Sequence, residues 1–452
     1  MNNDLTQGTI LKKLTFLALP IMATSFLQMA YNITDMIWIG RLGADAVAAV
    51  GTAGFLMWLS FAFIALGRVG AEVKIAQTLG SKEANKSNYF ANTAITFTFL
   101  LGVCYGSGVG VFRESIIGFF NLNDPYVEGL AVDYLYIIAF GMPLHFINQV
   151  LSGIFNGAGI SKTPFRVNSI GLVMNLILDP IFIFIFGLGV KGAAYATILS
   201  QAVVTIAFIS TLLQGNRPYQ EFKFRIELRF EYLKAILSIS LPVAIQNGLF
   251  TIISMFVARI VAMYGTSAIA VQKVGTQIEA ISYMTAQGFG SALSAFIGQN
   301  YGAKKNARVV EGFKVASRIM TYIGIITSLL LFFGAEPLFK LFINEEPTTS
   351  MGVTYLQIIS FSQLFMCIEI ALTGGLNGLG RTMAPALTGV TLNASRIPVA
   401  YFLSAFTSLG INGIWWTISG TSILKGVALI IMTLLVLRTL KEVNIKKDSV
   451  YQ

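Results

Sequence analysis

Long apolar runs separated by short polar stretches dominate the chain. A bilayer core about 30 Å thick needs around 20 apolar residues per helix. Twelve runs reach that length: 14–39, 46–76, 90–114, 129–158, 164–187, 190–213, 234–263, 268–299, 313–334, 351–379, 385–408 and 411–438. A span in hydrocarbon must satisfy its own backbone polar groups, so each run is predicted to be a helix. The first run is longer than the apolar stretch of a signal peptide and is interrupted by Asp35, so it is expected to stay as span 1. No stretch between the runs reads as a soluble domain.

The polar positions support this count. With the N-terminus in the cytoplasm, twenty Lys and Arg residues between Lys12 and Lys447 fall on the cytoplasmic side, against four opposite, Arg41, Arg113, Lys191 and Lys340. One missed helix would scramble that split. The expectation is a multi-pass protein of the cell membrane with both termini in the cytoplasm. The net charge of +10 is then explained by loops rather than by nucleic acid. Charged residues make up 12% of the chain, against about 25% in soluble domains, too few to coat a soluble body of 452 residues.

The chain repeats itself. Leu19-Pro20 matches Leu241-Pro242, and Gln77, Gly80 and Lys82 match Gln299, Gly302 and Lys304, at an offset of 222. Asn156, Gly159 and Pro164 match Asn377, Gly380 and Pro385 at 221, and Asn175 and Pro180 match Asn393 and Pro398 at 218. An offset of six helices makes the halves enter the membrane in the same direction, as parallel repeats. The expected fold is all-α, with 12 transmembrane helices in two parallel six-helix lobes. The expected organisation is an N-lobe over 1–214, a cytoplasmic linker over 215–233, a C-lobe over 234–440 and a tail over 441–452. The repeated Gly153-x-x-x-Gly157 and Gly374-x-x-x-Gly378 allow close backbone approach, which packing alone explains.

Ionisable residues inside spans are costly and mark candidate function. The acids are Asp35, Glu72, Asp179, Glu279 and Glu369; the bases are Arg68, Lys74, Arg259, Lys273, Arg318, Arg396 and Lys425. Lys74, Lys273, Arg318 and Lys425 lie near helix ends, where they can snorkel to the interface. Arg68 and Glu72, four apart on span 2, suit a structural pair. Asp35 lies one turn after Tyr31, and Asp179 one turn after Asn175 and just before Pro180. Their repeat counterparts are Val257 and Ile397, so this acid pair belongs to the first half alone. Two carboxylates in a poorly hydrated pocket cannot both ionise cheaply, which favours holding a proton or a cation. The alternative is a hydrogen-bond network that holds the kinks at Pro20 and Pro180. In the second half, Arg396 is expected to pair with Glu369 or Glu279. Such a pair serves either structure or the handling of substrate and ions.

The segments LPIMATSFLQMAYNITDMIWIGRLG (19–43), NGAGISKTP (156–164), NLILDP (175–180), IEAISYM (278–284) and NGLGRTMAP (377–385) resemble the multidrug and toxic compound extrusion (MATE) family across essentially the whole chain. IEAISYM, and a span 7 without an acid, resemble the branch named for DNA-damage-inducible protein F. The resemblance implies secondary active export of organic, mostly cationic compounds by antiport against H+ or Na+, with alternating access. Similar proteins place their first-lobe ion site at residues matching Asp35, Asn175, Asp179 and Thr197, with Tyr31 and Asn156 nearby. It implies no metal site beyond sodium at those residues, and no other cofactor. Met29, Phe26, Trp38, Phe250, Met255 and Tyr283 are candidates for a soft cavity that holds cationic compounds. Glu279, Glu369 and Arg396 are second-lobe polar candidates.

Other readings are weaker. No Walker A, HExxH or GxSxG sequence occurs, so an enzyme is not expected. Gly187-Leu-Gly-Val-Lys-Gly192 fits GxGxxG but lies in a short turn between spans without a preceding strand. A lone His145 cannot build a multi-histidine metal site; it suits hydrogen-bonded packing or a proton relay. A flippase for lipid-linked saccharides, from the same superfamily, is the alternative function, and it would call for a cavity richer in bases. The expected partners are small organic molecules and the lipid bilayer, with the chain acting as a monomer.

Overall fold

The computed structural model describes residues 4–122, 124–214 and 225–448, without the side chains of 441 and 443–448. Most of the expected linker, including Arg217 and Lys223, and the last four residues of the tail lie outside the described residues. Every regular element among the described residues is helical. The first half comprises α1 (Ile10–Gly40), α2 (Ala44–Gly80), α3 (Ala84–Gly118), α4 (Pro125–Gly157), α5 (Lys162–Pro180) with a π-helical turn at Ile181–Ile185, and α6 (Gly189–Leu213). The second comprises α7 (Phe230–Ala262), α8 (Thr266–Gly302), α9 (Asn306–Phe333), the short α10 (Ala335–Lys340), α11 (Thr348–Gly378), α12 (Met383–Ala394), α13 (Arg396–Ala405) and α14 (Ile411–Asp448).

Each of the twelve expected spans falls on one of these helices or on a broken pair. Ten are long and apolar enough to cross a membrane by themselves. The other two are α8, diluted by polar residues such as Lys273 and Glu279, and the α12–α13 pair, interrupted at Ser395. The protein is therefore an all-α membrane protein. The pattern did not foresee α10, because six residues are too few to show a helical period.

The breaks have covalent causes. Proline lacks an N–H and frees the carbonyl four residues earlier. Pro180 does this to Leu176, and the π-helical turn follows directly. Pro398 does it to Ala394, where α12 ends. The repeated Asn-Gly-x-Gly motif ends α4 and α11 in the same way. Gly159 and Gly380 both adopt φ of 80°. Ile160 N–H then donates to the Phe155 carbonyl at 2.9 Å, and Arg381 N–H to Leu376 at 2.9 Å. A left-handed residue in this closing turn favours glycine.

The chain divides into two compact units. Among the described residues, one holds Asp4 and Leu19–Ala244, and the other holds Leu5–Ala18 and Ile245 onward. Helix α1 thus changes unit beside Pro20, and α7 does so beside Pro242, its repeat partner. In the second unit the stretch before α1 is tied down by polar contacts. Lys305 Nζ donates to the Thr6 carbonyl at 2.8 Å, Arg308 Nη1 to Gly8 at 2.9 Å, and Leu5 N–H to Gln299 Oε1 at 3.2 Å.

The small-residue pairs close the helix packing inside each unit. A Cβ on Gly157 of α4 would fall 2.4 Å from the Glu72 carbonyl oxygen of α2. Its counterpart Gly378 of α11 stands in the same relation to Ser294 of α8, also at 2.4 Å. A Cβ on Gly374 would fall 2.1 Å from the Gly290 carbonyl oxygen, so only glycine fits without moving the backbone. Gly374→Leu is expected to lower stability by about 1–3 kcal/mol, the usual cost of overpacking. Thermal unfolding in detergent, compared with Gly420→Leu, where an added Cβ would meet nothing within 4 Å, checks this.

Candidate functional site

The site is built inside the first unit by four helices. Tyr31 and Asp35 are four apart on α1 and share a face; Asn175 and Asp179 do the same on α5. Thr197 lies on α6. Asn175 and Asp179 have no exposed surface, and Asp35 is 9% exposed. Asn175 Nδ2 donates to Asp179 Oδ1 at 2.9 Å, which fixes that carboxylate beside the proline break. Asp35 and Asp179 act on each other electrostatically. The Tyr31 hydroxyl faces both acids and Thr197.

Three of these side chains keep oxygens in hand. Asp35 Oδ1, Asn175 Oδ1 and Asp179 Oδ2 are buried and have no protein hydrogen-bond partner. Buried polar atoms are rarely left so, and an unpartnered group suggests a ligand, an ion or water. Carboxylate, amide and phenol oxygens with no nitrogen or sulfur donor suit a proton or a hard cation such as sodium. Carboxylates that hold a cation in one state and release it in another are what ion exchange requires.

One residue of this cluster escaped sequence reasoning. Tyr134 of α4 is buried and interacts with Asp35, Tyr31 and Asp179. Nothing in the apolar run around it distinguishes it from a packing aromatic. Asn156, by contrast, does not join the cluster. It lies 22 residues further along α4, roughly 33 Å along the axis, in the closing turn of that helix. Its carbonyl accepts the Gly159 N–H at 2.9 Å, so the motif that made it conspicuous is a helix stop.

The second unit is organised differently from expectation. Glu369 of α11 pairs with Lys425 of α14 at 3.6 Å, not with Arg396. Lys425 is 9% exposed, so it does not snorkel to the interface. Arg396 donates from Nε to Thr421 Oγ1 at 2.8 Å and from Nη2 to Ser422 Oγ at 2.9 Å. Glu279 and Glu369 act on it electrostatically from beyond ion-pair distance. Glu279 accepts a hydrogen bond from the Tyr355 hydroxyl. The reach of the α14 side chains, invisible in one sequence, decided these partners.

The aromatic and Met candidates divide between the units. In the first, Phe26 and Met29 are half-buried, and Trp38 lies edge-on to Phe184 at 6.2 Å beneath Arg41 at 4.5 Å. In the second, Phe250, Met255 and Tyr283 are exposed, and Tyr283 accepts from Gln287 Nε2 at 2.6 Å.

A duplicated, all-helical membrane protein has the form of a transporter. The MatE family model matches the chain twice, over residues 20–181 and 242–402, once per repeat. The chain belongs to this family of membrane transporters and is not an enzyme. It is 27% identical over 411 residues to the probable multidrug resistance protein NorM of Thermotoga maritima, covering 90% of this chain and 88% of that one. It is 24% identical over 434 residues to the FAD transporter of Shewanella oneidensis, covering 94% and 95%. A MATE crystal structure in the bent conformation superposes with a TM-score of 0.92 at 22% identity, covering 98% of this chain and 99% of the other.

Proposed function

We propose that this protein is a secondary active exporter that exchanges organic, mostly cationic compounds for protons or sodium ions. The observation that carries the reading is the Asp35–Asp179 cluster, two acids on different helices with unpartnered oxygens in one buried site. A bound ion satisfies those oxygens and draws α1 and α5 together; its loss leaves two carboxylates that repel. Asn175, Thr197, Tyr31 and Tyr134 supply neutral polar groups around the ion. The energy difference between the two occupancies biases the transporter between its two open states, since an ion shifts an equilibrium by its differential affinity. The names of relatives support drugs as cargo, while the FAD transporter is a relative named for a different one. The loop charges support a cell-membrane protein with cytoplasmic termini.

Dye efflux from vesicles, with a pH gradient and a sodium gradient imposed separately, tests this. One gradient is expected to drive efflux. Efflux that follows neither, or a conductance without exchange, would overturn the reading.

A further inference from the structure

Polar side chains continue away from the acid cluster along a seam between α4 and α6 of the first unit. On α6, Thr197, Gln201 and Thr205 recur every four residues and share one face, over about 12 Å of axis. On α4, His145, Asn148, Ser152 and Asn156 share one face over roughly 16 Å, and all four are buried. The two faces are joined at mid-height. Asn148 Nδ2 donates to Gln201 Oε1 at 2.8 Å and to the Gln201 carbonyl at 2.9 Å. Thr205 Oγ1 donates to Asn148 Oδ1 at 2.8 Å, and Ser152 Oγ to the Asn148 carbonyl at 2.9 Å.

The α4 face also holds buried atoms that no protein group satisfies: His145 Nε2 at one end and Asn156 Oδ1 at the other. Lined by polar partners, such atoms are where water is held inside proteins. The far end lies against the turn of α2 that carries Arg68 and Glu72. A Cβ on Gly153 would fall 2.9 Å from Arg68 Cγ, and one on Gly157 lies 2.4 Å from the Glu72 carbonyl.

The second repeat supplies a contrast. At an offset of 221, Asn148 corresponds to Glu369, Gln201 to Ser422 and Val204 to Lys425. There the same layer is closed by the Glu369–Lys425 ion pair. Fixed opposite charges trap or repel a passing cation, whereas amides and hydroxyls solvate it without holding it. The unit with the acid cluster is the one with the neutral layer.

We propose that this α4–α6 seam is a hydrated track by which the coupling cation leaves the Asp35–Asp179 cluster toward the Arg68–Glu72 end of the unit. Asn148, Gln201 and Thr205 form its narrowest polar layer. The track rests on the exchange reading above. For a proton, each hydroxyl or water accepts one proton and passes on its own, so O–H bonds form and break in equal number and nothing is oxidised. For sodium, side-chain and water oxygens replace the hydration shell in turn.

The test uses the full chain in liposomes and two readouts, equilibrium binding of tetraphenylphosphonium and the initial rate of its gradient-driven transport. In Asn148→Leu and Gln201→Leu, binding is expected within about twofold of wild type while the rate falls roughly tenfold or more. Asn148→Ser, which leaves a hydroxyl and room for water, is expected to retain most of the rate. Wild-type rates in the Leu variants, or binding and rate lost together, would overturn the track. If the Leu variants do not fold, the nearly isosteric Thr205→Val decides: a slowing of about threefold or more is expected, and an unchanged rate overturns the track. Running the arms with a pH or a sodium gradient shows which ion uses it. A wild-type protein that answers to neither gradient overturns the exchange reading instead.

Discussion

Asp35→Asn and Asp179→Asn are each expected to cripple gradient-driven export, with initial rates down roughly 100-fold, equivalent to about 2.7 kcal/mol in the barrier. Asparagine keeps the shape of the carboxyl but can neither take up a proton nor carry a charge for sodium. Both variants are expected to fold and to unfold at or above the wild-type temperature, because each removes one of two like charges buried together. Liposome transport and thermal unfolding of the same preparations measure the two halves of this expectation. Lost transport with intact stability distinguishes ion exchange from a network that merely holds the kink at Pro180. Full ion-driven transport by both variants removes the assignment.

The second large effect concerns stability. Lys425→Met leaves Glu369 buried without its 3.6 Å partner. Breaking a buried pair by removing one member costs about 3–5 kcal/mol, whereas replacing both members with apolar groups is often neutral. The single variant is therefore expected to be severely destabilised, and Lys425→Met with Glu369→Leu to recover most of the loss. Unfolding in detergent across the three proteins reads the coupling directly. Arg396 does not rescue the single variant, because its Nε and Nη2 are committed to Thr421 and Ser422.

What the sequence made legible follows from which signals are local. Span positions were readable because each span must be apolar over about 20 residues, and the repeat was readable because it copies its helix stops along with its helices. The proline breaks could be anticipated at Pro180 and Pro398, since the missing N–H acts on the carbonyl four residues away. Contacts across helices were not readable. Asp35 and Asp179 lie 144 positions apart in the chain; their pairing came from family resemblance, and the structure places them in one cluster. The same resemblance misplaced Asn156, where a conspicuous residue marked a helix end. Tyr134 and Lys425 were hidden for opposite reasons. The tyrosine looked like packing, and the lysine looked close enough to a helix end to escape. Only the fold shows that one faces the acids and the other is shut inside with Glu369.

The most direct test of ion exchange at the first-unit acids is the ion flux itself. Adding substrate to one side of liposomes that contain the protein, with no ion gradient imposed, is expected to drive protons or sodium the opposite way in fixed proportion to substrate moved, and to drive none in Asp179→Asn. Substrate movement with no opposing ion flux, or an identical flux in Asp179→Asn, would contradict it.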